Sequence, residues 1–288
     1  MNGKQTIITE VEERFSKLPD SSYTKITETG ATTELRTLAC KPNMSGLQKA
    51  KRISRNSYVC LDTGEVKEYG CALERADNPH LKETLEKIRK YINTNFYDGG
   101  QFITLCYDGV MKDFRRAKKD LSCFLRTLSK RHKAIEYFWV LEPKTTGSWH
   151  FHLLTKGEEV TAEELQGLWI EGSSDVQDIY DVSGLACYLA PCYKKDDLTG
   201  NESKEENGGI FVLSKSKEKA KRLNFYPHNE RIYGKSNGIK KWKEYQTTRG
   251  EARTYVKGKQ KMSECSLAVV VEETGEKINQ VNIETYKG

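Results

Sequence analysis

Two histidines flank one phenylalanine in the segment Trp149-His-Phe-His-Leu-Leu154. Alternate side chains of a β-strand point to opposite faces of the sheet, so a strand here places His150 and His152 on the same face. Two imidazoles at this spacing can bind one divalent ion. The interleaved apolar side chains point the other way, into a core. The pattern therefore predicts a metal site on one face of a buried strand.

Glu142 is the predicted third ligand. Residues 135–141 and 149–154 read as two strands joined by the polar Pro143–Ser148, which is typical of a hairpin. A register centred on that loop puts Glu142 on the face of His150. A carboxylate and two imidazoles leave positions for a phosphate oxygen and water, which favours Mg²⁺ or Mn²⁺. Two alternatives stay open: Zn²⁺ with Cys106 as a thiolate ligand, and a histidine pair that binds no metal.

Tyr188 lies in the middle of a helix predicted from residue 182 to about 195. A helical tyrosine usually packs its ring and leaves its hydroxyl in contact with water. Beside a metal-held phosphodiester, the same hydroxyl can act as a nucleophile. The residues alone leave both interpretations open.

Further elements must position these side chains. Residues 81–95 carry an apolar stripe at spacings of four, three and four, which indicates a helix. Residues 101–107 are typical of a strand and 111–133 of an amphipathic helix. Thr161-Ala-Glu-Glu164 is a helix-capping pattern, and residues 175–180 form a further short strand. A terminal hairpin is predicted over 266–271 and 277–286.

Charge and composition exclude several classes of protein. The chain has 288 residues, a formal net charge of +6 and eight cysteines without a C-x-x-C pair. No apolar run is long enough for a membrane span, and no secretory signal is evident, so we expect a cytoplasmic protein without a membrane partner. Residues 111–133 hold nine Lys and Arg against two Asp. Residues 211–262 hold fifteen against four Glu, with aromatics between them. Such stretches favour single-stranded nucleic acid, and a solvated surface is the alternative.

Three motifs in order resemble those of HUH endonucleases, and more closely those of rolling-circle replication initiators (Rep proteins) of Gram-positive plasmids, integrative elements and phages. Phe102-Ile-Thr-Leu-Cys-Tyr107 is similar to the first motif. Val140-Leu-Glu-Pro143 with Gly147–Leu154 is similar to the second, metal-binding motif. Asp181–Tyr188 resembles the third, which carries the tyrosine. Weaker similarity extends over roughly residues 50 to 245.

The resemblance implies a fold class and a domain organisation. The fold is α+β, with a central antiparallel sheet and helices in a ferredoxin- or RRM-like palm, and with β-containing extensions at both ends. Residues 1–35 are expected to form a mobile polar arm and 36–80 an accessory segment. Residues 81–245 would form the HUH endonuclease domain, and 246–288 a basic segment with a β-hairpin.

The resemblance also implies residue roles. His150, His152 and Glu142 would bind Mg²⁺ or Mn²⁺, and Tyr188 would be the nucleophile. Some relatives carry a second tyrosine one turn later, where this chain has Cys192. Tyr193 is turned about 140° from the face of Tyr188, so it is the weaker candidate for a second catalytic tyrosine. The candidate contacts to DNA are cations near the site: Lys194, Lys195, Arg222, Lys240 and Lys241.

The implied reaction nicks and religates single-stranded origin DNA, leaving a 5′-phosphotyrosine and a free 3′-hydroxyl that primes rolling-circle replication. Gly234-Lys-Ser236 matches only the end of a phosphate-binding loop, because Asn229 replaces its first glycine. Unwinding would then fall to a host helicase, and synthesis to a host DNA polymerase. The alternatives are an HUH relaxase, a single-strand transposase, and a non-catalytic protein that binds single-stranded nucleic acid.

Overall fold

A computed structural model of the chain describes residues 6–10, 18–39, 50–52, 57–60, 66–68, 79–190, 222, 225–227, 230–271 and 277–288. The chain divides into two compact units. The terminal unit contains described residues up to Thr27, from Thr33 to Leu73 and from Glu244 to Lys287. The central unit contains Glu28–Thr32, Glu74–Lys243 and Gly288.

In chain order, the elements are β1 (Thr6–Glu10), β2 (Tyr23–Glu28), β3 (Thr32–Leu38), β4 (Ala50–Arg52), β5 (Ser57–Cys60), β6 (Val66–Glu68), α1 (Pro79–Asn95), β7 (Gln101–Cys106), α2 (Phe114–Arg131), β8 (Glu136–Pro143), β9 (Trp149–Lys156), α3 (Ala162–Leu168), β10 (Ser174–Asp178), α4 (Val182–Leu189), β11 (Tyr233–Lys235), β12 (Lys243–Thr248), α5 (Arg249–Tyr255), β13 (Lys261–Val271) and β14 (Lys277–Lys287).

The central unit is built on a five-stranded sheet in the order β10-β7-β9-β8-β11. Every neighbouring pair in this sheet is antiparallel. β8 and β9 form the predicted hairpin, in which Glu142 pairs with His150 and Val140 with His152. β7 lies on the other side of β9 and pairs Thr104 with His152. An α+β fold with a central antiparallel sheet is therefore confirmed.

The two faces of this sheet are covered by different helices. On one face, Phe151 of β9 packs edge-on against Trp169, which follows α3 and also contacts Phe124 of α2. On the other face, Tyr91 of α1 lies 5.5 Å from Phe138 of β8 between ring centroids. The predicted apolar stripe of α1 is buried at Leu81, Leu85, Ile88 and Ile92. The histidines share the face that α1 covers.

The terminal unit joins both ends of the chain. Its six-stranded sheet has the order β1-β13-β14-β3-β2-β12, and β4, β5 and β6 form a separate three-stranded sheet. The predicted terminal hairpin is present, since β13 and β14 are antiparallel. A small core forms from Ile26, Leu35, Ala252, Val256 and Tyr286.

The structure departs from the predicted mobile polar arm over residues 1–35. β2 and most of β3 lie in that range and belong to the six-stranded sheet. Threonines take positions where a core residue would be expected: Thr24 and Thr37 are buried, and their hydroxyls lie 2.9 Å apart. Because these hydroxyls bond to each other, the polar atoms can be buried at little cost. Apolar periodicity alone therefore missed both strands.

Candidate metal and tyrosine site

The β7–β9–β8 register brings the three predicted metal ligands together. His150 Nε2 lies 3.0 Å from His152 Nε2, which lies 3.0 Å from Glu142 Oε2. The third side of the triangle, from His150 Nε2 to Glu142 Oε2, is 3.5 Å. All three side chains are buried. We call these three residues the Glu–His–His cluster.

The cluster fits a divalent ion. Ligands bound at about 2.0–2.2 Å and at right angles to each other lie about 3 Å apart, which is close to the measured triangle. Within the described part of the chain, this is the group of His, Cys, Asp and Glu side chains whose ligand atoms converge in this way. Cys106 pairs with His150 in the sheet but does not belong to the group. The zinc alternative with a Cys106 thiolate therefore has no geometric support.

Side chains behind His152 set its orientation. Thr104 Oγ1 lies 3.3 Å from His152 Nδ1, so the hydroxyl can accept the Nδ1 proton and leave Nε2 as the ligand atom. Phe102 stacks on the same imidazole, with 5.2 Å between ring centroids. His150 Nδ1 is buried and has no hydrogen-bond partner among the described residues. The two histidines are thus held differently.

Arg222 is the predicted DNA-binding residue that the structure brings to the cluster. Its Nη1 lies 3.6 Å from Glu142 Oε1, the carboxylate oxygen that does not face the histidines. The ion pair offsets part of the cost of burying the Glu142 charge. The guanidinium Nε is buried and has no partner among the described residues. Arg222 therefore contributes a fixed positive charge next to the candidate ligands.

Tyr188 reaches the cluster from α4. Asp181 caps this helix by accepting a hydrogen bond from the Gly184 N–H at 2.9 Å, and Arg89 of α1 donates to the Ala190 carbonyl at 2.6 Å. The helix is therefore fixed at both ends. The Tyr188 ring stands edge-on to His152, with 6.1 Å between centroids, and 42% of the residue is exposed.

Electrostatics around Tyr188 favour the protonated phenol in this structure. Burial raises the pKa of Tyr188 above its usual value, and the negative charge of Glu142 raises it further. The positive charge of Arg222 acts in the opposite direction. The phenol pKa thus depends on the charge balance between one carboxylate and one guanidinium.

Other predicted residues lie away from the cluster or outside the described residues. Lys240 follows β11 and is tied to α1 through its backbone, since its N–H donates to Asn95 Oδ1 at 2.8 Å. The Lys241 ammonium lies 5.4 Å from the Trp242 ring centroid. The side chains of both lysines are exposed. Tyr193, Lys194 and Lys195 lie outside the described residues, so their predicted roles stay predictions.

Gly234-Lys-Ser236 is part of an edge strand and its exit. Gly234 and Lys235 belong to β11, and the Tyr137 N–H donates to Ser236 Oγ at 2.9 Å. The Lys235 ammonium donates to the Ile239 carbonyl at 2.7 Å. These groups serve the sheet, so they do not form a phosphate-binding loop.

Two positioning residues escaped sequence reasoning. Thr104 sits in the predicted strand two residues from Phe102, and its position on the His152 face follows from the alternation of that strand. Arg89 gave no such signal, because its partner, the Ala190 carbonyl, lies 101 residues away in the chain.

Comparisons with known proteins point to DNA replication. The family model for replication-associated protein ORF2 matches residues 100–197, which span β7 to the end of α4 and contain the Glu–His–His cluster and Tyr188. This segment is a Rep-type domain. The resemblance predicted from the motifs is thereby confirmed, and the family links the Rep-type domain to DNA.

Other comparisons add little. Among solved structures, the chain is similar to the N-terminal nuclease domain of minute virus of mice non-structural protein 1, with 9% identity and a TM-score of 0.15. The match covers 82% of this chain and 77% of that one. The viral domain is described as having a unique Zn²⁺ coordination in its active site pocket and as recognising DNA at the origin of replication. No curated protein matches the chain.

The membrane question has a direct structural answer for the described helices. None of them is both long enough and apolar enough to cross a bilayer.

Proposed function

We propose that the chain nicks and religates single-stranded DNA at a replication origin and so initiates rolling-circle replication. The observation that carries the proposal is the placement of the Tyr188 ring against His152 of the Glu–His–His cluster. A nucleophile and a set of metal ligands are thus adjacent within the segment that matches a replication family.

Glu142, His150 and His152 would hold the divalent ion, with Mg²⁺ or Mn²⁺ as our proposal. A bound ion of this type supplies positive charge that polarises a phosphoryl oxygen and stabilises developing negative charge. Arg222 adds a second positive charge on the outer side of Glu142. Thr104 fixes the tautomer of His152, which keeps Nε2 directed at the ligand position.

Tyr188 would perform the strand transfer. Its Oη attacks the scissile phosphorus, so that an Oη–P bond forms and the P–O3′ bond breaks. The phenol proton is lost to solvent, the released O3′ takes up a proton, and the phosphate stays on the tyrosine as a 5′-phosphotyrosine. One phosphodiester replaces another, so the step is reversible and needs no nucleotide hydrolysis. The free 3′-hydroxyl can then prime a host DNA polymerase behind a host helicase.

An HUH relaxase or a single-strand transposase would use the same chemistry. The replication family match favours an initiator over both. A non-catalytic single-stranded nucleic-acid-binding protein would bind DNA without a covalent product. The convergence of three buried ligand groups beside a tyrosine favours an enzyme, because uncompensated buried titratable groups are costly to a protein that only binds.

The test is covalent capture of DNA. The protein is incubated with Mn²⁺ and labelled single-stranded oligonucleotides that tile the replication origin of its own replicon, and the products are separated on a denaturing gel. We expect a labelled protein band and a shorter oligonucleotide ending in a 3′-hydroxyl. Peptide mapping should place the label on Tyr188. Tight binding of the oligonucleotides with no covalent product at any tile would instead favour the non-catalytic alternative.

A further inference from the structure

A cleft of about 390 Å³ lies between α2 and β8. Its polar and aromatic lining comes from six side chains: Lys118, Ser122, Arg126, Ser129, Tyr137 and Trp139. Two leucines of α2 close its base. Tyr137 and Trp139 alternate along β8 with Val140 and Glu142, which pair with the two histidines. The cleft is therefore on the face of the sheet opposite the Glu–His–His cluster.

One wall of the cleft is aromatic. Tyr137 and Trp139 are both partly exposed. Gly234 of β11 pairs directly with Trp139, and a Cβ at Gly234 would come within 2.6 Å of three atoms of the indole. The missing side chain thus lets the indole extend across the neighbouring strand. A broad aromatic surface of this kind is suited to stacking on a planar ring.

The opposite wall is basic and hydroxylic. Arg126 is exposed and forms no ion pair with any described residue. Its guanidinium contacts Cys123 Sγ at 3.8 Å. Lys118 lies two turns earlier on α2 and is paired with Glu230 at 3.3 Å, so Arg126 is the stronger candidate for an anion. The hydroxyls of Ser122 and Ser129 can bond to polar ring edges between them.

We propose that this cleft binds one nucleotide of a single DNA strand. The base stacks on Trp139 and Tyr137, its polar edge meets the serine hydroxyls, and the adjoining phosphate pairs with Arg126. Stacking surfaces beside cations are how proteins hold unpaired strands without reading their sequence. The inference takes DNA as the ligand from the proposed function but does not require nicking. A strand in the cleft is a different segment from the one at Tyr188, because the sheet separates the two sites.

The test combines crosslinking with matched variants. A short oligonucleotide of thymidines with one 4-thiothymidine is irradiated with the full-length protein, and crosslinked peptides are identified by mass spectrometry. We expect a crosslink on Tyr137 or Trp139. Trp139→Leu should weaken binding about fivefold or more, because stacking contributes about 1–3 kcal/mol per base. Arg126→Gln, at an exposed position that tolerates the change, should weaken binding and lower the crosslink yield.

Arg115→Gln is the matched control. Arg115 is an exposed arginine of the same helix that does not line the cleft. Equal loss of affinity in Arg115→Gln and Arg126→Gln, with crosslinks elsewhere, would overturn the proposal. So would thymidine monophosphate or an acidic peptide binding more tightly than the oligonucleotide.

The cleft and the nicking reaction can fail separately. Arg126→Gln should still form the Tyr188 adduct with a short oligonucleotide. An adduct formed normally without any crosslink in the cleft overturns only the cleft. A crosslink on Tyr137 or Trp139 without any adduct supports the cleft and counts against the nickase.

Discussion

The ring of Tyr188 stands edge-on to the ring of His152, at 73° and with 6.1 Å between centroids. Edge-to-face contact is a favoured geometry for aromatic rings. The contact joins α4 to β9, the strand that also carries His150. A phenol and a candidate metal ligand are therefore held side by side by packing, before any DNA arrives.

Tyr188→Phe should abolish the covalent DNA adduct. The phenylalanine ring keeps the contact with His152, so the fold should be unchanged. Affinity for single-stranded DNA should change less than about fivefold, because one hydroxyl hydrogen bond contributes about 1 kcal/mol. Tyr180→Phe is the control, since Tyr180 is 92% exposed and lies two residues beyond β10. A persistent adduct in Tyr188→Phe that disappears in Tyr193→Phe would reassign the nucleophile.

Glu142→Gln should remove the response of the protein to Mn²⁺. An ion that binds the folded state raises its stability by about 2.7 kcal/mol at one hundred times the Kd. This corresponds to a rise in Tm of about 5 °C or more for a chain of this size. We expect that rise in the native protein and none in Glu142→Gln, as measured by calorimetry without DNA. Glu171→Gln, which affects a surface pair with Arg116, is the control. A rise of the same size in both variants would contradict the metal site.

The site was predictable where its residues are close in sequence. The pairing of Glu142 with His150 follows from a hairpin with a short loop, since the loop fixes the register. Strand alternation then places both histidines on one face. Arg222 was predicted as a DNA contact, but its position beside Glu142 depends on tertiary packing that no local pattern records.

The terminal unit was harder to predict for a physical reason. Its sheet pairs β3 near the N-terminus with β14 at the C-terminus, and strand pairing over such distances leaves no periodic signature. The signal inside each strand was also hidden, because Thr24, Thr33 and Thr37 occupy buried positions. Counting β-branched threonine as a core residue would have shown the alternation.

Thr104→Val should lower the affinity for Mn²⁺ about 10- to 100-fold, because a metal-binding histidine that loses its outer hydrogen bond is less well oriented. Valine has nearly the shape of threonine and keeps the β-branch. Thr104→Ser restores the hydroxyl and should recover most of the affinity. Titration calorimetry with Mn²⁺ measures both. Equal affinities in Thr104→Val and the native protein would show that Thr104 does not position His152.

Lys240→Gln and Lys241→Gln test the predicted contacts with DNA phosphates. Each lysine that neutralises a phosphate of a single strand adds about 0.7 to the slope of log affinity against log salt. The double variant should therefore have a slope smaller by about 1.4. Lys87→Gln, an exposed lysine of α1, is the single-charge control. An unchanged slope in the double variant would show that Lys240 and Lys241 do not contact the strand.

His132 should make the stability of the Rep-type domain depend on pH. Its Nδ1 lies 3.0 Å from Glu158 and its Nε2 lies 2.9 Å from Glu164, so both carboxylates are satisfied only when the ring carries two protons. Burial alone would lower the pKa of His132, but the hydrogen bonds and charges of Glu164 and Glu158 outweigh it and raise the pKa. Arg131 also contacts Glu164, at 3.7 Å.

A histidine pKa that is higher in the folded state than in the unfolded state stabilises the fold at low pH. The stabilisation is fully present below the unfolded pKa of about 6.5 and is lost as the pH rises through the folded pKa. The Tm of the native protein should therefore exceed that of His132→Gln by on the order of a few degrees near pH 6. The gap should narrow towards about pH 9, where neutral imidazole can donate to only one carboxylate. A gap that stays constant across this range would mean that His132 acts through packing and not through its charge.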